Sequence, residues 1–168
     1  MRTSLSLPAA LAGCLLLCLI LPRPAHAQRA IVLVRHAEKI DESPTAALSP
    51  AGHARAGRLA ELLAAFGVRA IFATEYQRTQ QTAQPLAQKT GLSTTIIAAS
   101  ARAELLQKLR ALPREDAALV VGHSDTLPLL IKELGVTEPV TIAGGDYANI
   151  FVVVPRGPAA PALLRLRF

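Results

Sequence analysis

The sequence has no tryptophan, two cysteines and an aromatic share of only 4% in 168 residues. Both cysteines, Cys14 and Cys18, fall in the first 27 residues. The remainder therefore has no thiol, which excludes a disulfide framework and any cysteine-based metal site there. Charged residues are sparse, at 18% against 51% hydrophobic. That balance excludes an intrinsically disordered chain and is ample for one core of ordinary domain size. Basic residues outnumber acidic ones by 18 to 12, but they are scattered and few aromatics interleave them. A nucleic-acid partner is thus not supported, whereas an anionic small substrate suits the modest positive charge.

A long apolar run occurs only at the start. Met1-Arg2 precedes an apolar stretch from Leu5 to Leu21, followed by Pro22-Arg23-Pro24 and Ala25-His26-Ala27. A short positive start, an apolar segment and an Ala-x-Ala site describe a secretory signal peptide over residues 1–27, cleaved after Ala27. The expected location is then periplasmic or secreted, with no membrane span after cleavage and one domain over residues 28–168. Two alternatives stay open. Leu5–Leu21 is just long enough for an uncleaved anchor, and Leu11-Ala12-Gly13-Cys14 resembles a lipoprotein site.

Beyond the leader, strand and helix patterns alternate. Short apolar runs predict strands at 30–34, 68–73, 94–98, 117–121 and 150–154, with a last one at 163–168 after a Pro/Gly loop over 155–161. Ser49-Pro50 reads as an N-cap and first helical residue, with Leu59, Leu62, Leu63 and Phe66 as the apolar stripe and Gly67 as the stop. Further helices are expected at 77–90, with a kink at Pro85, and at 101–112 and 126–134. This order predicts an α/β fold: a three-layer α/β/α sandwich on a mainly parallel sheet. In such sheets ligands bind beyond the carboxyl ends of the strands.

The residues at those ends carry the chemistry. The first strand ends in Arg35-His36, the second in Thr74-Glu75 with Arg78 one turn into the following helix, and the fourth in Gly122-His123-Ser124-Asp125. Two guanidiniums aimed at one spot match phosphate oxygens. A histidine beside them is pushed towards its neutral, nucleophilic form. A second histidine, when protonated, would stabilise charge on a transferring phosphoryl group. No metal-ligand spacing is present, so no metal or other cofactor is expected. Asp125 reads mainly as the N-cap of the next helix, and secondarily as a proton donor. His53 falls away from the strand ends, and Glu38 has no assigned role.

Leu33-Val-Arg35-His36-Ala-Glu38-Lys39 resembles the Arg-His-Gly/Ala-Glu signature of the histidine phosphatase superfamily, whose fold is phosphoglycerate mutase-like. Thr74-Glu-Tyr-Gln-Arg78-Thr79-Gln-Gln-Thr82-Ala83 resembles its second-arginine segment, and Val121-Gly122-His123-Ser124 its second-histidine segment. The resemblance implies His36 as the phosphorylated nucleophile, with Arg35, Arg78 and His123 forming the phosphate pocket. Larger relatives supply a glutamate donor after the third strand, yet residues 96–103 contain no carboxylate. The chain thus resembles the compact bacterial members, including phosphohistidine phosphatases. The expected activity is metal-independent hydrolysis of a phosphate ester, or another phosphorylated small-molecule or envelope substrate, through phosphohistidine. A phosphomutase on the same pocket and a non-catalytic phosphate-binding protein are the alternatives. The sequence carries no signal of oligomeric state.

Overall fold

The computed structural model describes residues 30–168; the expected leader over residues 1–27 lies outside them. The elements are β1 (Ile31–Arg35), α1 (Pro50–Ala64), β2 (Val68–Ala73), α2 (Gln77–Thr90), β3 (Thr94–Ile96), α3 (Arg102–Ala111), β4 (Ala117–Gly122), α4 (Thr126–Glu133), β5 (Asn149–Arg156) and β6 (Ala159–Arg167). One six-stranded sheet runs β3-β2-β4-β1-β5-β6. β1–β4, β2–β4 and β2–β3 pair in parallel, whereas β1–β5 and β5–β6 are antiparallel.

The alternation of side chains along each strand builds the three layers. Val32, Val34, Leu119 and Val121 face one side and pack with Leu59 and Leu63 of α1 and Leu86 of α2. Ile31, Leu33, Ala118 and Val120 face the other and pack with Leu109 of α3 and Leu127, Leu130 and Ile131 of α4. β1 and β4 are buried along their whole length, as strands covered on both faces must be. Each fully buried leucine here contributes about 1.5–3 kcal/mol relative to exposure.

Several boundaries differ from the sequence expectation, each for a local reason. Ser49 caps α1, its Oγ accepting from the Gly52 amide at 3.1 Å. The stripe α1 buries, however, is made of Gly52, Ala56, Leu59, Ala60 and Leu63; Leu62 and Phe66 are exposed. Small residues let the helix lie close to the polypeptide that follows His36. A Cβ on Gly52 would stand 2.1 Å from the Glu38 carbonyl oxygen. α2 continues through Pro85, which sits there at the loss of one bond to the Gln81 carbonyl. β3 stops at Ile96 rather than Ala98, although the Ile97 amide still donates to the Ala73 carbonyl. The expected Pro/Gly loop over 155–161 is instead the tip of the β5–β6 hairpin, turning at Gly157 with φ +62°. Pro155 falls where the β5–β6 register shifts between Val154 and Arg156, past the last β1 partner of β5 at Val153, and Pro161 lies on the edge strand β6; at both places a missing donor is tolerated.

Candidate active site

β4 lies between β1 and β2, so three adjacent strands deliver their carboxyl ends to one place. Arg35 closes β1 in register with Gly122 of β4, and the His36 amide donates to the Gly122 carbonyl at 2.9 Å. Gly122 leaves room there for the Leu127 side chain, whose terminal methyl a Cβ would approach to 2.8 Å. Arg35, His36 and His123 are all buried, and the two imidazole centroids are 5.5 Å apart. Arg78 arrives from the first turn of α2, its guanidinium 4.4 Å above the Tyr76 ring. A cavity of about 420 Å³ opens at this point, lined by Arg35, His36, Arg78 and His123 and also by Lys39 and Asp125. All the residues picked from the strand ends are therefore brought together. His53 is exposed on α1, outside that lining.

Each catalytic candidate is oriented by a specific partner. The Nδ1 of His36 lies 2.8 Å from the Ala37 carbonyl oxygen. A carbonyl only accepts, so Nδ1 carries the proton and Nε2 keeps its lone pair. Burial lowers the pKa of His36 from 6.5 to about 4, with Arg35, His123 and Arg78 adding to the fall and the Ala37 bond opposing it. At neutral pH the ring is uncharged. The pKa of His123 is likewise lowered by burial and then by Arg78, while Asp125 and Glu75 act the other way.

The tautomer of His123 follows from counting hydrogens. Thr79 Oγ1 donates to the Tyr76 carbonyl at 2.7 Å, or to that of Thr74 at 3.1 Å. Its 2.9 Å contact with Thr74 Oγ1 then uses the Thr74 hydroxyl hydrogen. Thr74 Oγ1 has no hydrogen left for His123 Nε2, also at 2.9 Å, so Nε2–H donates to it. Assigned this way, every contact in the chain holds one proton, and Nδ1 of His123 is the nitrogen that titrates.

The guanidiniums are each held by one nitrogen. Arg35 Nη1 donates to the Ala143 carbonyl at 3.0 Å and to that of Gly144, and its plane covers Tyr147 at 4.3 Å. Arg78 Nη1 donates to the Pro44 carbonyl at 2.7 Å. Among the described residues, the buried side-chain nitrogens and oxygens without a partner are Arg35 Nε and Arg78 Nε. Leaving a buried donor unpaired costs about 1–3 kcal/mol, and more when the group is charged. That both such donors flank His36 marks the place where an anion belongs.

The supporting residues were mostly beyond sequence reasoning. Glu38 is a bidentate partner of Arg55, with oxygens 2.7–3.0 Å from Nε and Nη2. Together with Thr82, whose Oγ1 accepts from the Ala37 amide at 3.0 Å, it anchors the loop behind the nucleophile candidate. Tyr147, Ala143 and Gly144 were missed because they precede an antiparallel strand rather than follow a parallel one; Gly144-Gly145 was the available signal. Asp125 lines the cavity and also accepts from the Thr126 amide at 2.9 Å, as a cap of α4. A second carboxylate stands nearby: Glu75 Oε2 accepts from the Ala99 amide at 2.8 Å. It thereby reaches the segment after β3, which has no carboxylate of its own. No group of three or more potential metal ligands occurs among the described residues, and none of their helices is long and apolar enough to cross a membrane.

No curated protein matches the sequence. Solved structures do match the fold. The chain is similar to mycobacterial glucosyl-3-phosphoglycerate phosphatase, with a TM-score of 0.66 and 15% identity over 83% of this chain and 98% of that one. It is similar to a candidate alpha-ribazole-5'-P phosphatase from Escherichia coli K-12, with a TM-score of 0.68 and 16% identity over 84% and 97%. A candidate phosphohistidine phosphatase SixA from Nakamurella multipartitia gives a TM-score of 0.59 and 24% identity over 83% and 95%. The model of the histidine phosphatase superfamily (branch 1) matches residues 31–102, the part that carries Arg35, His36 and Arg78, and the sheet continues beyond it through β4 and His123. The chain therefore has the fold of these structures, phosphoglycerate mutase-like in architecture, and over residues 31–102 it is similar to the histidine phosphatase superfamily (branch 1).

Proposed function

We propose that this protein is an exported phosphatase working through a phosphohistidine on His36. The observation that carries the reading is the pair of buried, unpartnered Nε–H groups of Arg35 and Arg78 beside an imidazole held neutral. A phosphoryl group seated on those donors presents phosphorus to His36, whose Nδ1–H is occupied by the Ala37 carbonyl. Nε2 forms the N–P bond as the P–O bond to the leaving group breaks. Attack by water then releases phosphate and restores His36. A phosphate dianion beside His123 favours that ring's protonated form, which offsets charge building on the transferring oxygens. Every step uses side chains of this chain alone, so turnover should persist in chelator.

Phosphatases appear among the proteins that share the fold, which supports hydrolysis over mutase chemistry. The leader over residues 1–27 supports export and points to phosphorylated small molecules or envelope components as substrates. The test is to quench turnover of 4-nitrophenyl phosphate and look for an acid-labile, alkali-stable phosphoryl group. It should sit on His36 and vanish, with nearly all turnover, in His36→Ala. Full activity of His36→Ala would refute the reading. N-terminal mass analysis of the secreted protein should find Gln28 first, and retention of residues 1–27 would refute export by cleavage.

A further inference from the structure

Lys39 is the one cavity-lining residue with no part in the phosphoryl pocket's chemistry that nonetheless brings a full positive charge to it. It sits three residues after His36, and its backbone pairs with Leu48 in an isolated bridge, which fixes where the side chain starts. That side chain is only 14% exposed, although lysines ordinarily hold their ammonium in water. Its partner is Glu42, 2.5 Å away on the same loop and 91% exposed. Lys39 is the one polar partner the Glu42 side chain has among the described hydrogen bonds and ion pairs. The pair is asymmetric: a cation built into the cavity wall, and a carboxylate free to swing into solvent.

We propose that Lys39 forms a second anion subsite, and that Glu42 occupies it until a substrate's own anionic group takes its place. The proposal rests on the phosphate-pocket reading and deepens it. The substrates are phosphorylated compounds with another negative group, a carboxylate or second phosphate, close to the transferred phosphoryl. Arg35 and Arg78 hold the phosphoryl group that His36 attacks, while Lys39 holds the other charge. A neutral substrate leaves Lys39 on Glu42 and gains nothing from it. The exchange of one carboxylate for another conserves charge around Lys39, so selectivity comes without stranding a buried cation.

The test compares two ligands of similar shape, ethyl phosphate and phosphoglycolate, which differ by a methyl group against a carboxylate. Calorimetric titration into the full protein should show phosphoglycolate binding about tenfold more tightly, the scale of one charge-assisted contact. Lys39→Gln should abolish that preference, and Glu42→Gln should enlarge it by removing the competitor. Arg69→Gln, an exposed cation at the start of β2 and so at the opposite edge of the sheet, controls for net charge and should leave the ratio alone. Inorganic diphosphate in place of phosphoglycolate identifies the second group: the tighter of the two names a phosphate or a carboxylate. A preference unchanged in Lys39→Gln, or one that fails to rise in Glu42→Gln, overturns the subsite while the His36 labelling still stands. Absence of binding by ethyl phosphate and phosphoglycolate alike would instead bring down the pocket reading, and the subsite with it.

Discussion

Lowering the pH from 7 to 5 should destabilise this protein through its buried imidazoles, His36 above all. The His36 imidazole is lowered from its ordinary pKa of 6.5 to about 4 in the folded protein, mainly because burial removes water from its charged form. Between those values the unfolded chain binds a proton that the folded one does not, so stability rises with pH across the window and is lost as pH falls through it. At pH 5 the loss relative to pH 7 is about 2 kcal/mol from this group alone, of a total near 3 kcal/mol once pH drops below 4. Urea unfolding of the wild type and His36→Gln at half-unit pH steps isolates the term. The stability gap between the two should shift by about 2 kcal/mol from pH 7 to pH 5, with His36→Gln the less acid-sensitive protein. Ring NMR should find His36 neutral down to about pH 4. Parallel stability curves, or a His36 resonance titrating near 6.5, would refute the argument.

Four further outcomes follow from the geometry. Arg78→Ala should weaken phosphate binding and turnover together, by about 2–4 kcal/mol in kcat/KM. Thr74→Val leaves the buried Nε2–H of His123 without its acceptor; stability should fall by about 1–3 kcal/mol, the His123 tautomer signature in 15N spectra should change, and Thr74→Ser should restore both. Gly52→Ala drives a methyl into the Glu38 carbonyl and should cost about 1–3 kcal/mol as an overpacked contact, read as a lower urea midpoint at unchanged slope. The leaving-group acid is decided by comparing Asp125→Asn with Glu75→Gln: the true donor's variant loses far more rate on alkyl than on 4-nitrophenyl phosphate, and equal small losses in both would exclude the two carboxylates.

The centre of the parallel part of this fold was legible in the sequence because β1 and β4 are buried on both faces. Ala117-Ala-Leu-Val-Val121 can be little else than a central strand, and β2 and α2 begin and end where their patterns do. The reading failed where small or edge residues carry the structure. Gly52, Ala56 and Ala60 make the close face of α1, but their burial leaves no apolar signal as strong as the exposed Leu62. β6 alternates leucine with arginine beside prolines, and only pairing with β5 makes it nine residues long. At the site, the candidate residues Arg35, His36, Arg78 and His123 stood at or just after strand ends, and the structure brings them to one cavity. Their contacts could not be read: Tyr147, which stacks on Arg35 from 112 positions away, had no signal of its own, and Thr74 stood at a strand end without showing its bond to His123, 49 positions on.

Placing β4 between β1 and β2 also has a consequence for how the molecule is made. β1 and β2 do not touch each other in the sheet, so during synthesis the first two parallel strands have no shared ladder until residues 117–122 have left the ribosome. Until then His36 lacks the Gly122 carbonyl that holds its amide, and Thr74 has no imidazole to receive. The His36 imidazole exists chemically by residue 36, but its neutral, buried environment arrives only with the strand that bears the second histidine. Closing such long loops is slow relative to local helix formation. A nascent chain ending near residue 102 would therefore carry Arg35, His36 and Arg78 without a working pocket. Under the proposed mechanism, activity and the last parallel pairing should appear in the same kinetic phase when the protein refolds, because the buried His36 pocket is not assembled on an unfinished chain.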